Sequence, residues 1–81
     1  SGRAVLEAIG RDGDADRLAR AMSDHADMVF ATCRRVLGND AEAAEVTQET
    51  FFQFLRNAGR IQGSIGAWLH RAATGRAIDL I

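Results

Sequence analysis

Apolar and polar positions recur with a helical period along most of the chain, most clearly over residues 39–56, NDAEAAEVTQETFFQFLR. At about 100° per residue, Ala43, Thr47, Thr50, Phe51 and Phe54 share one face, with Val46 and Leu55 at its edges. Glu42, Glu45, Glu49, Gln53 and Arg56 fall opposite. Asn39 suits the cap of this helix, and Glu42, three residues on, suits a capping box. Gly38 is a good stop for a preceding helix. Phe52 breaks the division, because it falls on the polar border beside Glu45 and Gln48. Such a ring is either a partner contact or part of a second small core.

Residues 4–9 predict a short helix, ended by the GRDGD loop of residues 10–14. Asp14 or Asp16 then caps a second short helix through Met22, with Leu18, Ala19 and Met22 as its apolar face. Ser23 or Asp24 caps the next helix, in which Met28, Val29, Thr32, Cys33, Val36 and Leu37 face inward at helical spacing. Arg34 and Arg35 stand at its negative end, where cations are favoured. Three glycines in residues 57–66, NAGRIQGSIG, predict a loop. Ser64 caps a last helix that buries Ile65, Leu69, Ala72, Ala73 and Leu80 and turns His70, Arg71 and Thr74 outward. Gly75 costs that helix about 1 kcal/mol against Ala, so a weak or kinked point is expected there. The pattern predicts an all-α fold: a compact bundle of three main helices plus one or two short N-terminal helices. Residues 1–13 form an N-terminal extension and residues 14–81 the helical domain.

Composition supports this reading. The 81 residues suffice for one small core, 47% are hydrophobic, and there is no Pro. No apolar run of about 18 residues and no signal-peptide pattern occurs, so a cytoplasmic protein is expected. A single cysteine, Cys33, makes no internal disulfide and is expected to pack in the core. The net charge of −1 hides an asymmetry. Residues 1–49 carry six Arg and ten carboxylates, whereas residues 50–78 carry four Arg and no carboxylate. An acid-free basic half points to an anionic partner such as nucleic acid phosphate, with a solvated cationic face as the alternative. All the cations besides histidine are Arg, which suits bidentate and stacking contacts.

Catalytic chemistry is not legible. His25 and His70 stand far apart with no ligand-spaced partners, so no metal is expected. No phosphate loop, G-x-S-x-G or G-x-G-x-x-G is present, so no cofactor is expected. Glu42, Glu45 and Glu49 lie along one helix face without a basic partner and make no acid/base site. An enzyme is not expected.

From about Asp24 to Leu80 the chain resembles region 2 of bacterial sigma-70 family RNA polymerase sigma factors, of the extracytoplasmic-function (ECF) type. The resemblance is carried by CRRVLGNDAEAAEVTQETFFQFLR, a glycine-bearing loop, and then AWLHRAATGRAIDL, in matching order and spacing. It implies a transcription initiation module that docks on the clamp helices of the largest subunits of core RNA polymerase. It also implies recognition of the promoter minus-ten element as single-stranded non-template DNA. By position, polymerase binding would fall to Ala44, Glu45, Gln48, Glu49 and Phe52, with Arg35 and Asn39 near the helix junction as further candidates. DNA binding would fall to Gly59, Arg60, Ile61, Gln62, Gly63 and Ser64 of the loop, and to His70, Arg71, Thr74 and Arg76 of the last helix. Glycines let a backbone approach a flipped base, while Arg60, Arg71 and Arg76 can pair with phosphates. Trp68 corresponds to one of two aromatics that help open promoter DNA in housekeeping sigma factors. Ala67 stands where the other would be, so core packing is the competing role for Trp68.

The chain departs from the family in three places. Ala44-Glu45 replaces an acidic pair, Gly75 stands where Asn is frequent, and the C-terminal DNA-binding domain is absent after Ile81. These departures imply a fragment or a degenerate relative. They also favour a second reading: a protein-interaction module that serves mainly as docking target for an anti-sigma regulator. A helix-turn-helix reading fits less well, since such units use turns of about 3–4 residues and residues 57–64 form a longer connection.

Overall fold

The computed structural model describes residues 13–81; the short helix expected over residues 4–9 lies outside them. Three α-helices and one short 3-10 turn make up the described chain: α1 (Asp14–Leu37), α2 (Asp40–Asn57), the turn Ala58–Arg60, and α3 (Ile65–Asp79). Each helix packs against the other two. The core lies where they meet, on Val29 and Cys33 from α1, Ala43, Val46, Phe51 and Phe54 from α2, and Leu69 and Ala73 from α3.

The helix starting at Ser23 or Asp24 is not separate. One helix of 24 residues runs from Asp14 to Leu37, and Gly13 rather than an aspartate holds the N-cap position. The reason is local. No Gly or Pro interrupts residues 14–37, so Ser23 and Asp24 have no backbone break at which to cap anything. The expected inner face of its first half is also rotated. Ala21 is buried, whereas Ala19 and Met22 are exposed and Leu18 is half-buried. The buried stripe is the row Ala21–Val29–Cys33, one helical neighbour away from the row Leu18–Met22–Ala26–Phe30.

The α1–α2 junction follows the sequence closely. Gly38 takes φ 80°, a conformation that glycine adopts without strain, and its N–H donates to the Arg34 carbonyl. The Asn39 side chain accepts from the Glu42 N–H at 2.8 Å. The return bond differs from a capping box, because the Asn39 amide rather than its backbone N–H donates to the Glu42 carboxylate, at 2.7 Å. Arg34 donates to Asp40 across the turn at 2.8 Å.

In α2, Ala43, Thr50, Phe51 and Phe54 are buried as the periodicity requires, and the edge positions Val46 and Leu55 are buried with them. In α3, the buried row is Leu69–Ala73–Ala77. Ile65 and Leu80, expected inside, are exposed at the two ends of the helix. Gly75 neither breaks nor ends α3, which continues to Asp79. A Cβ at Gly75 would meet nothing within 4 Å. Gly75→Ala is therefore expected to stabilise the chain by about 1 kcal/mol, through helix propensity alone. Urea denaturation followed by circular dichroism measures this as a raised midpoint with unchanged slope.

Candidate functional site

The five polymerase-docking candidates form a ridge along α2 that separates two depressions. On one side, Ala44, Gln48 and Phe52 line an apolar groove whose other wall is Met22, Ala26 and Phe30 of α1. On the other side, Glu45 and Glu49 line a second depression with Arg76 and Asp79 of α3. Ala44, Glu45, Gln48 and Glu49 are exposed and Phe52 is half-buried, so the ring lies partly open on the groove rather than in the core. The α1 wall was not anticipated as part of this surface. Its sequence signal was the four-residue ladder Leu18–Met22–Ala26–Phe30, which marks one stripe of a single continuous helix. Arg35 is exposed and Asn39 half-buried, the latter engaged by Glu42 in capping α2.

The DNA-binding candidates divide. Gly59, Arg60, Gln62, Gly63 and Ser64 are exposed, and Gly63 takes φ 80°. Ile61 turns inward and packs against the core, which anchors the connection between its exposed ends. The Ser64 hydroxyl accepts from the Ala67 N–H at 3.1 Å and starts α3. His70 and Arg71 are exposed on α3. The Thr74 hydroxyl donates to the His70 carbonyl one turn back, at 2.8 Å. Arg76 is held differently from the other cations. Its Nη1 is 3.0 Å from the Glu49 carboxylate and its Nε donates to Gln53 at 2.7 Å, so it reaches across to α2. Among the described residues, none of Arg56, Arg60 and Arg71 is in an ion pair. The basic character of the second half is thus displayed by Arg56, Arg60 and Arg71, while Arg76 is spent internally.

Trp68 is half-buried and meets Phe54 edge-on, with ring centroids 6.3 Å apart at 64°. This is the core-packing role left open above. Beside it, Gly66 lies so close to His25 of α1 that a Cβ there would be 3.2 Å from the imidazole. The start of α3 is therefore seated on α1, which fixes the end of the connecting loop. Cys33 is fully buried, and burial pushes its thiol above the ordinary range. It is a packing residue and not a nucleophile. Among the described residues, no cluster of His, Cys, Asp and Glu could hold a metal ion, and no helix is long and apolar enough to cross a membrane.

The Sigma-70 region 2 family matches residues 21–81. This chain belongs to that family. The match takes in nearly all of the described fold, including the α2 ridge, the loop and the whole of α3. Among named relatives, the chain is 33% identical over 82 residues to the ECF RNA polymerase sigma factor SigE of Mycolicibacterium smegmatis. That alignment covers 100% of this chain and 32% of the relative. It is 34% identical over 73 residues to the ECF RNA polymerase sigma factor SigW of Bacillus subtilis, covering 88% of this chain and 39% of the relative. The chain thus spans roughly a third of the length of these sigma factors. No solved structure matches it.

Proposed function

We propose that this region 2 chain acts in transcription initiation by binding core RNA polymerase through α2 and the promoter minus-ten element, as single-stranded non-template DNA, through residues 59–64 and the outward side of α3. The observation that carries this reading is the segregation of the two surfaces. The α2 ridge combines carboxylates with a half-open Phe52 beside an apolar groove, which suits a protein partner. The connection and the outer positions of α3 present Arg60 and Arg71 with no carboxylate between residues 50 and 78, which suits a phosphate backbone. The family is one of non-catalytic transcription factors, which supports a binding role for these surfaces.

The direct test is retention of purified bacterial core RNA polymerase on the immobilised chain, followed by titration of that complex with labelled single-stranded promoter DNA. Arg60→Ala and Arg71→Ala are each expected to leave polymerase retention unchanged. Each should weaken DNA binding and lower the salt slope of log K by about 0.7, one single-strand phosphate contact apiece. Failure of the folded wild-type chain to retain polymerase overturns this reading. It would leave the α2 ridge and its groove as a docking target for another protein, an anti-sigma regulator first.

A further inference from the structure

Arg76 belongs by sequence to the helix that faces DNA, yet in the structure it is clasped by the helix that faces the protein partner. The contact joins residues 23 and 27 positions apart in the chain, Gln53 and Glu49, through two separate guanidinium nitrogens. Glu49 is in turn one of the carboxylates of the α2 ridge, with about half of its side chain exposed (53%). The side chain of Arg76 is more enclosed, at 34%. Each charge therefore neutralises the other at the boundary of the two surfaces. Neither can serve its own surface fully while the pair persists.

We propose that the Arg76–Glu49 pair is a linkage device: it withholds one cation from the nucleic-acid surface until a basic group of a protein partner takes Glu49. The proposal rests on the functional reading above and assigns it an internal control. When a partner's Lys or Arg engages Glu49, Arg76 loses its counter-charge. Gln53 alone then holds it, a neutral acceptor that competes poorly with a phosphate oxygen. Because binding free energies are reciprocal, a phosphate that draws Arg76 away also exposes Glu49 to the partner. The pair is partly solvent-exposed, so the coupling it transmits is modest, about two- to fivefold in affinity.

The test is a double-mutant cycle on the 81-residue chain, using wild type, Glu49→Gln, Arg76→Ala and the double variant. The probe is a fluorescently labelled single-stranded DNA of random sequence, titrated at several salt concentrations, with folding checked by circular dichroism. Glu49→Gln is expected to tighten DNA binding about two- to fivefold and to steepen the salt slope by about 0.7, as one more phosphate contact forms. In the Arg76→Ala background the same substitution should produce neither change. Equal tightening in both backgrounds would mean that Glu49 acts only by long-range repulsion, and the linkage would be overturned. So would the absence of any effect of Glu49→Gln. A wild-type chain that binds neither this DNA nor core polymerase overturns the functional reading itself, and the linkage falls with it. Binding by wild type with purely additive variants overturns the linkage alone.

Discussion

Phe52→Ala is expected to weaken capture of core RNA polymerase by about thirtyfold or more while the chain stays folded. The ring stands at the rim of the apolar groove between α1 and α2, half-buried, next to exposed Gln48 and Glu45. Aromatic residues that enter a partner's pocket at the centre of an interface contribute about 2 kcal/mol or more when truncated, and each 1.4 kcal/mol is about tenfold in affinity. Because the ring is only half-buried in the free chain, its removal should reduce folding stability by about 1–2 kcal/mol. Glu45→Arg is the companion variant. Glu45 is exposed, so reversing its charge should leave stability within about 0.5 kcal/mol while opposing a basic partner surface. Surface-immobilised chain titrated with polymerase, with thermal melts of the same samples, separates the two effects. Retention of full affinity by folded Phe52→Ala would remove the ring from the interface. It would then count as part of the groove's own packing.

Phe54→Ala, two positions away, is expected to do the opposite. Phe54 is 1% exposed and sits at the meeting point of the three helices, with Trp68 of α3 edge-on against it. Truncating a fully enclosed Phe removes its transfer energy and leaves a cavity, together about 3–5 kcal/mol. At about 0.05–0.15 kcal/mol per residue, a domain of this size has a total stability of the same order. The helices cannot compensate individually, since helical stability in a protein comes mostly from packing of the apolar face rather than from propensity. The variant should therefore lose most of its cooperative unfolding transition, or melt about 12–40 °C lower where it still folds. Far-UV circular dichroism through a thermal scan measures it. A loss below about 1 kcal/mol would show that Trp68 and Leu69 close the space, so that the core does not depend on this ring.

The contrast between the two phenylalanines shows what kind of information the sequence holds. Their opposite placements follow from a 200° difference around one helix, and the periodicity of residues 39–56 separates them without any knowledge of neighbours. The breaks at Gly38–Asn39 and at Ser64 are legible for the same reason. Left-handed glycine and side-chain caps act over three or four residues, and the structure uses both at these two breaks. The motif order of α2, loop and α3 likewise suffices for the family. The all-α fold and its three principal helices were thus legible in local chemistry.

What local chemistry could not supply is which of two available stripes meets a neighbour. Along α1, the rows through Ala21 and through Met22 are similarly apolar. Only the positions of α2 and α3 make the first a core and leave the second as the wall of a groove. The ends of α3 behave alike: Ile65 and Leu80 are apolar, yet both stay exposed among the described residues. Trp68 had two roles open to it until Phe54 was placed against it. Arg76 is the strongest case, since its position on α3 suggests a phosphate ligand while its partners, Glu49 and Gln53, lie on another helix. A periodic pattern specifies the direction of a side chain from its own helix axis. What that side chain meets is decided when the helices pack, because the contacts join residues that the chain alone leaves unrelated.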